Sequence, residues 1–425
     1  MKITAFILFV SICSLGFLEY TQNDTYPIDG YERTGIRRLA RLQMIKNGTI
    51  KGTILPGADW PLDSIKLNLT DKRGKEIDSF PVPDPDLQIQ IEGLFHGLDK
   101  NYSISVLDIT KDHPVRIALH RENASYQPGS VGKLIVLTAF FTELKKLYPN
   151  NFEKRIALLK SKVIHAGNWA LSDHHTVPVF DPETQNYSKR KIAASDDFTL
   201  FEWLDHMISV SNNGAASVVW REAMLMQAFG KDYPDLTFEQ SEEYFKSRSK
   251  TELSEIAIEM INQPLRDLGI TEDEWRLGKF FTSGAGTYIP GRGGSTGTTI
   301  GLMKWMIKME QGKIVDEESS LEMKRLLYMT DRRIRYAYAP VLREAAVYFK
   351  SGSFYSCTKN EDGTSSGCKE YQGTKYNYMN SVAIVEHPDG TRYLVCLMSN
   401  VLGKNSANDH YVLASRIDKI LRPDR

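Results

Sequence analysis

The sequence predicts an α/β (α+β) protein, with a five-stranded antiparallel sheet flanked by helices and joined to an all-helical lobe. Two observations lead there. Strand-like runs are confined to the two ends of residues 99–425, and the long stretch between them is mainly helical in spacing. At the front, YSISVLDI (102–109) and PVRIALH (114–120) are two strands joined by a tight turn. At the back, AAVYFKSGSFYS (345–356), NSVAIVEH (380–387) and TRYLVCLMSN (391–400) are three more, the last two linked by Pro388-Asp389-Gly390. Gathering all five gives a sheet lobe from 99–124 and 336–425 and a helical lobe from 125–335. ANDHYVLASRIDKIL closes the chain as an amphipathic helix, and a site is expected in the cleft between the lobes.

The segment before this domain has a different texture. Met1-Lys2 followed by ITAFILFVSICSLGFL reads as a signal peptide over residues 1–20; a retained anchor is the other reading. Ile12, directly before Cys13, is too large for a lipoprotein cleavage site. GIRRLARLQMIKNG (35–48) has helical spacing and ends on Gly48. Residues 49–98 alternate, as in DSIKLNLTDKRGKEID and LQIQIEGL, between Pro/Asp-rich joints. Residues 31–98 are therefore expected to be an N-terminal helix plus a small β-rich appendage. A charged insertion is expected near 239–255.

The chain has 425 residues, 41% of them hydrophobic, and a formal net charge of zero. It can bury a large core, and it has no electrostatic footprint for nucleic acid or an anionic membrane. Export makes the cysteines informative. Cys357 and Cys368 bracket TKNEDGTSSG, and a disulfide or two reduced thiols are equally open. Cys396, in YLVCLM, reads as a buried small apolar residue.

Chemistry concentrates in SYQPGSVGKLIVLTAFF (125–141). Ser130 and Lys133 form S-x-x-K, and residues three apart share a helix face. A serine hydroxyl is a weak nucleophile until a base takes its proton, and a lysine serves when desolvation or a neighbouring cation lowers its pKa. Four further S-x-x-K matches, at Ser188, Ser247, Ser356 and Ser366, lie in polar or charged surroundings. Only Ser130 has a Pro-Gly entry and an apolar helix behind it. A second piece is Ser211-Asn212-Asn213 inside MISVSNNGAA (207–216), which taken alone is a helix cap at Ser211. The third is Lys350-Ser351-Gly352-Ser353 in YFKSGSF, a lysine inside a predicted strand with a glycine that permits close approach.

S-x-x-K on a helix, then S-x-N, then K-S-G on a strand resembles the serine β-lactamases and penicillin-binding proteins (D,D-peptidases), and is class A-like in layout. The resemblance covers residues 99–425 and implies a β-lactamase/transpeptidase-like fold. It also implies roles. Ser130 would be the acylated nucleophile and Lys133 its base or proton relay. Ser211 would pass a proton to the leaving nitrogen, and Asn213 would hold the substrate amide and orient Lys133. Lys350 and Ser351 would bind the substrate carboxylate, and the backbone N–H groups of Ser130 and Ser353 would form the oxyanion hole.

One part departs from the class A pattern. That pattern places a glutamate in a loop before I-P-G to activate the deacylating water. In WRLGKFFTSGAGTYIPGRGGSTGTT (275–299), Arg276-Leu277 and Ile289-Pro290-Gly291 match, but Phe281 stands at the glutamate position. Glu272 and Glu274 come several residues too early. The expectation is an exported serine hydrolase of the bacterial periplasm or cell envelope, acting on a β-lactam or a D-Ala-D-Ala-like amide. A peptidoglycan D,D-peptidase or slowly deacylating penicillin binder is the alternative, and a non-catalytic cell-wall-binding relative is a third reading. No cofactor is expected. No metal is expected either, since Asp173-His174-His175 is contiguous and no second His/Cys cluster follows.

Overall fold

The five strand-like runs pair into one antiparallel sheet. In a computed structural model, which describes residues 28–77, 80–111 and 113–423, the strands are β1 (Tyr102–Asp108), β2 (Arg116–His120), β3 (Ala346–Ser356), β4 (Tyr376–Glu386) and β5 (Arg392–Asn400). Their spatial order is β2-β1-β5-β4-β3. The two ends of the chain therefore meet in mid-sheet, where Val106 of β1 faces Val395 of β5. The helices used below are α1 (Arg37–Lys46), α2 (Pro85–Gly93), α3 (Lys133–Leu147), α4 (Leu200–Ile208), α5 (Asn213–Phe229), α6 (Thr299–Glu310), α7 (Glu317–Tyr328) and α8 (Ala407–Leu421).

The sheet is buried on both faces. Val347, Phe349, Ala383, Val385, Val395 and Leu397 enter one core with Leu87 and Ile91 of α2 and Leu413 and Ile417 of α8. Ala346, Tyr348, Val382, Ile384, Leu394 and Cys396 enter the other core, shared with the helical lobe. Because side chains alternate along a strand, Lys350 falls on the same face as Ala346 and Tyr348 and points at that lobe. The axis of the lobe is α3. Leu134, Ile135, Val136, Leu137, Ala139, Phe140 and Phe141 are all buried, the pattern of a helix enclosed by protein. At about 1.5–3 kcal/mol for each large apolar side chain removed from water, this helix is firmly anchored. Three short two-stranded ribbons also lie in the lobe, pairing Val163–His165 with Asp197–Thr199, Val177–Phe180 with Tyr187–Arg190, and Trp275–Arg276 with Thr296–Gly297.

The expected β-rich appendage at 31–98 is corrected: among the described residues, that segment contains no strand. LQIQIEGL lies in α2 despite its alternation. Asp84 accepts a hydrogen bond from the Leu87 N–H at 2.9 Å, and Pro85 takes the first helical position. This capping outweighs a period-2 pattern with no free strand to pair. Leu87 and Ile91, four apart, are buried, while Ile89 between them is 71% exposed. Nor is the segment peripheral. Leu39 and Leu42 of α1 join the main core, and Arg38 forks onto both oxygens of Asp205 on α4 at 2.6 Å. The expected signal peptide at 1–20 lies outside the described residues. Among the described residues, no helix is long and apolar enough to cross a membrane.

Cys357 and Cys368 are joined in a disulfide with Cα atoms 5.8 Å apart, and Cys396 is a buried free thiol. The charged run near 239–255 is helical, spanning Phe238–Lys246 and the start of Lys250–Asp267.

The N-terminal segment is tied down by a buried ion cluster. Lys324 on α7 lies 2.6 Å from Glu310 and 2.7 Å from Glu386, all three buried. Asn68 donates its backbone N–H to Glu310 at 2.6 Å and its side-chain amide to Glu386 at 2.9 Å. Removing the cation leaves two carboxylates buried together, and burial already pushes the Glu310 carboxyl up. Lys324→Met is expected to lower the free energy of unfolding by about 3–5 kcal/mol, measured by urea denaturation at pH 7.

Candidate active site

The Ser130 loop and the third sequence motif are brought together by two glycines. A Cβ on Gly352 would lie 2.4 Å from the Pro128 carbonyl oxygen and 2.8 Å from the Ser130 nitrogen. Gly129, in the left-handed region at φ +53°, would set a Cβ 2.9 Å from the Ser353 nitrogen. Only glycine allows β3 and the loop this close. From β4, the Asn380 amide donates to the carbonyls of Gln127 and Pro128, both at 3.0 Å, and pins the loop from the other side.

Ser130 sits in a 3₁₀ turn, Gly129–Gly132, that runs into α3. The i to i+3 spacing works as expected: the Lys133 Nζ is 3.0 Å from the Ser130 Oγ. The same nitrogen donates to the Ser211 carbonyl and to the Asn213 Oδ1, the latter at 2.7 Å. Lys133 is fully buried, and burial lowers its pKa to about 7. The partner count fits that state. A neutral amine has two hydrogens and one lone pair. The Ser211 and Asn213 carbonyl oxygens can take the hydrogens, with the Ser211 hydroxyl farther off at 3.4 Å, and a neutral Lys133 then has its lone pair for the Ser130 proton.

Ser211 binds both lysines. Its φ of +63° is rare for a residue with a side chain, and it turns carbonyl and hydroxyl toward the cleft together. Lys350 reaches the Ser211 Oγ at 2.7 Å and the Ser351 carbonyl at 3.0 Å. Burial drives the Lys350 pKa well below its ordinary value, helped by Lys133, Arg335 and Arg332. The cap of α5 is Asn212 rather than Ser211: its Oδ1 accepts from the Ala215 N–H at 2.7 Å.

The structure thus brings Ser130, Lys133, Ser211, Asn213 and Lys350 into one hydrogen-bonded group, with Ser351 and Ser353 lining the cavities beside it. Sequence reasoning missed three neighbours. Asp173 accepts the Asn213 backbone N–H at 2.6 Å and its side-chain amide at 3.1 Å, which leaves the Asn213 carbonyl oxygen turned to Lys133. Burial opposes ionisation of Asp173, but His175, Lys133 and Asn213 together hold its carboxyl far below the usual range. His175 donates from Nδ1 to the Asp173 carboxylate at 2.7 Å. Arg335 donates to the Gly352 carbonyl at 2.8 Å and lies over the Tyr371 ring. The only sequence signals were the triplet Asp173-His174-His175 and the basic run Asp331-Arg332-Arg333-Ile334-Arg335. The triplet places one ligand atom from each residue within 4.8 Å, yet both Asp173 oxygens are already occupied by Asn213 and His175.

Beside the cluster opens a groove of about 770 Å³, lined by Ser130, Asn213, Phe281, Phe354 and Tyr355 among others. Phe281 packs directly against the site, with Lys133 Nζ 5.2 Å from its ring centroid. Glu274 pairs with Lys304 and Glu272 with Arg276, and neither lines the groove.

A helical lobe docked on a five-stranded sheet, with serine and lysine side chains clustered at the junction, is the fold of the penicillin-recognising serine proteins. The model of the beta-lactamase enzyme family matches residues 86–417, and the chain belongs to that family. Solved structures agree on the fold. A beta-lactamase from Chitinophaga pinensis is 13% identical with a TM-score of 0.52, covering 80% of this chain and 100% of that one. A representative class A beta-lactamase from Bacteroides cellulosilyticus is 15% identical with a TM-score of 0.50, covering 80% and 98%. A point mutant of PBP-A, in an acyl-enzyme complex with penicillin G, is 14% identical with a TM-score of 0.50, covering 80% and 97%. No curated protein sequence matches the chain.

Gly352→Ala is expected to push the strand and the loop apart by about 1 Å and slow β-lactam acylation roughly 10²-fold. Stopped-flow labelling with a fluorescent penicillin measures the rate, and circular dichroism checks that the fold persists.

Proposed function

We propose that this protein is an exported serine acyl-transfer hydrolase that opens β-lactams or D-Ala-D-Ala-like amides through an acyl-Ser130 intermediate. The observation that carries this reading is the 3.0 Å approach of a desolvated lysine to a serine at the mouth of a groove. The Ser130 Oγ attacks the substrate carbonyl carbon while Lys133 takes its proton. The N–H groups of Ser130 and Ser353 hold the developing oxyanion. Ser211, hydrogen-bonded to both lysines, passes a proton to the leaving nitrogen, and the C–N bond breaks. Asn213 holds the substrate amide, and Lys350 and Ser351 bind the substrate carboxylate. The bacterial periplasm or cell envelope is the proposed location. It is supported by the apolar N-terminal run and by a disulfide, which persists in oxidising compartments.

A second reading, a penicillin-binding D,D-peptidase with slow deacylation, is favoured by Phe281. A phenyl ring cannot take a proton from water, and losing a positioned base slows its step by about 10²–10⁴-fold.

Intact-protein mass after mixing with benzylpenicillin tests both. A mass increase of one penicilloyl group is expected, and Ser130→Ala should abolish it. Phe281→Glu is expected to shorten the adduct's lifetime by at least about 10²-fold, the low end of that range. An adduct that forms on Ser130→Ala would end the acyl-serine reading. An unchanged lifetime in Phe281→Glu would show that this ring does not occupy the place of a deacylating base.

A further inference from the structure

If Phe281 supplies no base, the cleft still contains one group built to act on water. His175 lies in the wall shared by two cavities. One is a small pocket with Ser130, Ser211, Lys350 and Ser351, and the other is the wide groove with Ser130, Asn213 and Phe281. The reactive serine borders both. The imidazole is anchored on one side only: Nδ1 meets the Asp173 carboxylate at 2.7 Å. Among the described residues, Nε2 takes no hydrogen bond. The His175 backbone is also fixed, because the Asn212 side-chain amide donates to its carbonyl at 3.1 Å.

A carboxylate held on Nδ1 selects the tautomer with its proton there and leaves a lone pair on Nε2. The carboxylate is itself immobilised by the first residue of α5, through the Asn213 backbone and side chain. The imidazole is therefore oriented by an ordered acceptor, which a loose surface histidine lacks.

The geometry points to Asp173–His175 as the dyad that activates water for deacylation, with His175 as general base and Asp173 as the residue that positions it. This deepens the proposed function and rests on it. Nε2 takes a proton from a water molecule whose oxygen bonds to the acyl carbonyl carbon. The tetrahedral intermediate then collapses, the bond from that carbon to the Ser130 Oγ breaks, and the proton on His175 passes to the Ser130 Oγ. A carboxylic acid leaves, and the free serine and neutral histidine return. Water is the only co-reactant.

The histidine is available as a base near neutrality. Burial holds its pKa below the ordinary imidazole value, and Lys133 and His174 act in the same direction while Asp173 opposes. The other charged or titratable groups lining the two cavities are Lys350, Arg332, Arg335, Lys279, Glu370, Tyr355 and Tyr371. Four of these are basic and one, Glu370, is acidic.

The experiment separates the two chemical steps in His175→Gln and His175→Gly, following formation and decay of the benzylpenicillin adduct by mass and stopped flow. Acylation, which uses Ser130 and Lys133, should stay within about threefold of the parent. Decay should slow by about 10²–10⁴-fold, and its acid limb, set by His175 protonation, should vanish. Added imidazole should restore decay in His175→Gly. Decay at the parental rate in both variants would overturn the dyad, as would equal losses in both steps with no response to imidazole, since that is the mark of a structural role. Absence of any Ser130 adduct in the parent protein would instead overturn the proposed function, and the dyad with it.

Discussion

Two buried amines share one hydroxyl, and that constraint organises the site. Lys350 is 2.7 Å and Lys133 3.4 Å from the Ser211 Oγ, so the two nitrogens are no more than about 6 Å apart. At that separation, and at an effective dielectric near 20, two ammonium charges repel by about 3 kcal/mol, or roughly two pKa units. Desolvation adds to this, because neither side chain reaches solvent appreciably. At least one amine must be neutral near pH 7. Burial lowers both, Lys350 well below its ordinary value and Lys133 to about 7, and proton transfer from Ser130 needs the neutral amine at Lys133. A protonated Lys133 would have three donors to place and no room for the Ser130 proton.

The fold supplies what that arrangement needs. The enclosed helix α3 holds Lys133 in low dielectric, and its apolar turns offset the expense of burying an amine. The paired glycines 129 and 352 let the strand lie against the Ser130 loop, so that Ser130 and Ser353 line one groove. Asp173 holds Asn213, which in turn holds Lys133. A carboxylate at one remove thus orients Lys133 without contacting it. Had Asp173 touched Lys133 directly, the pair would have settled as an ion pair and the lysine would have kept its proton.

Much of this was legible in the sequence where local chemistry and tertiary structure agree. The strands show as apolar runs, such as VAIV and YLVCLM, because both faces of the sheet are buried. The motifs at 130–133 and 350–353 stand out because a lysine in an apolar helix or between strand aromatics is anomalous, and 211–213 because Ser-Asn-Asn interrupts an apolar helical pattern. What failed was context. LQIQIEGL alternates like a strand, yet an Asp-Pro cap makes it helix, and no pattern within residues 31–98 reports that Arg38 and Asn68 end up bonded to Asp205, Glu310 and Glu386. Asp173 and His175 were visible only as a dubious metal triplet, because their partner Asn213 lies 40 residues away along the chain. The even choice between disulfide and free thiols at 357 and 368 turned on how the loop folds back, which spacing does not encode.

The central claim is that Lys133 is neutral at the pH where the protein works. Selective ¹⁵N labelling of lysine, with the Lys133 resonance assigned by its loss in Lys133→Met, reads the side-chain charge directly. A titration midpoint at about 7 is the expected result. A Lys133 amine that stays protonated to pH 10 would contradict the account, because Ser130 would then have no acceptor for its proton.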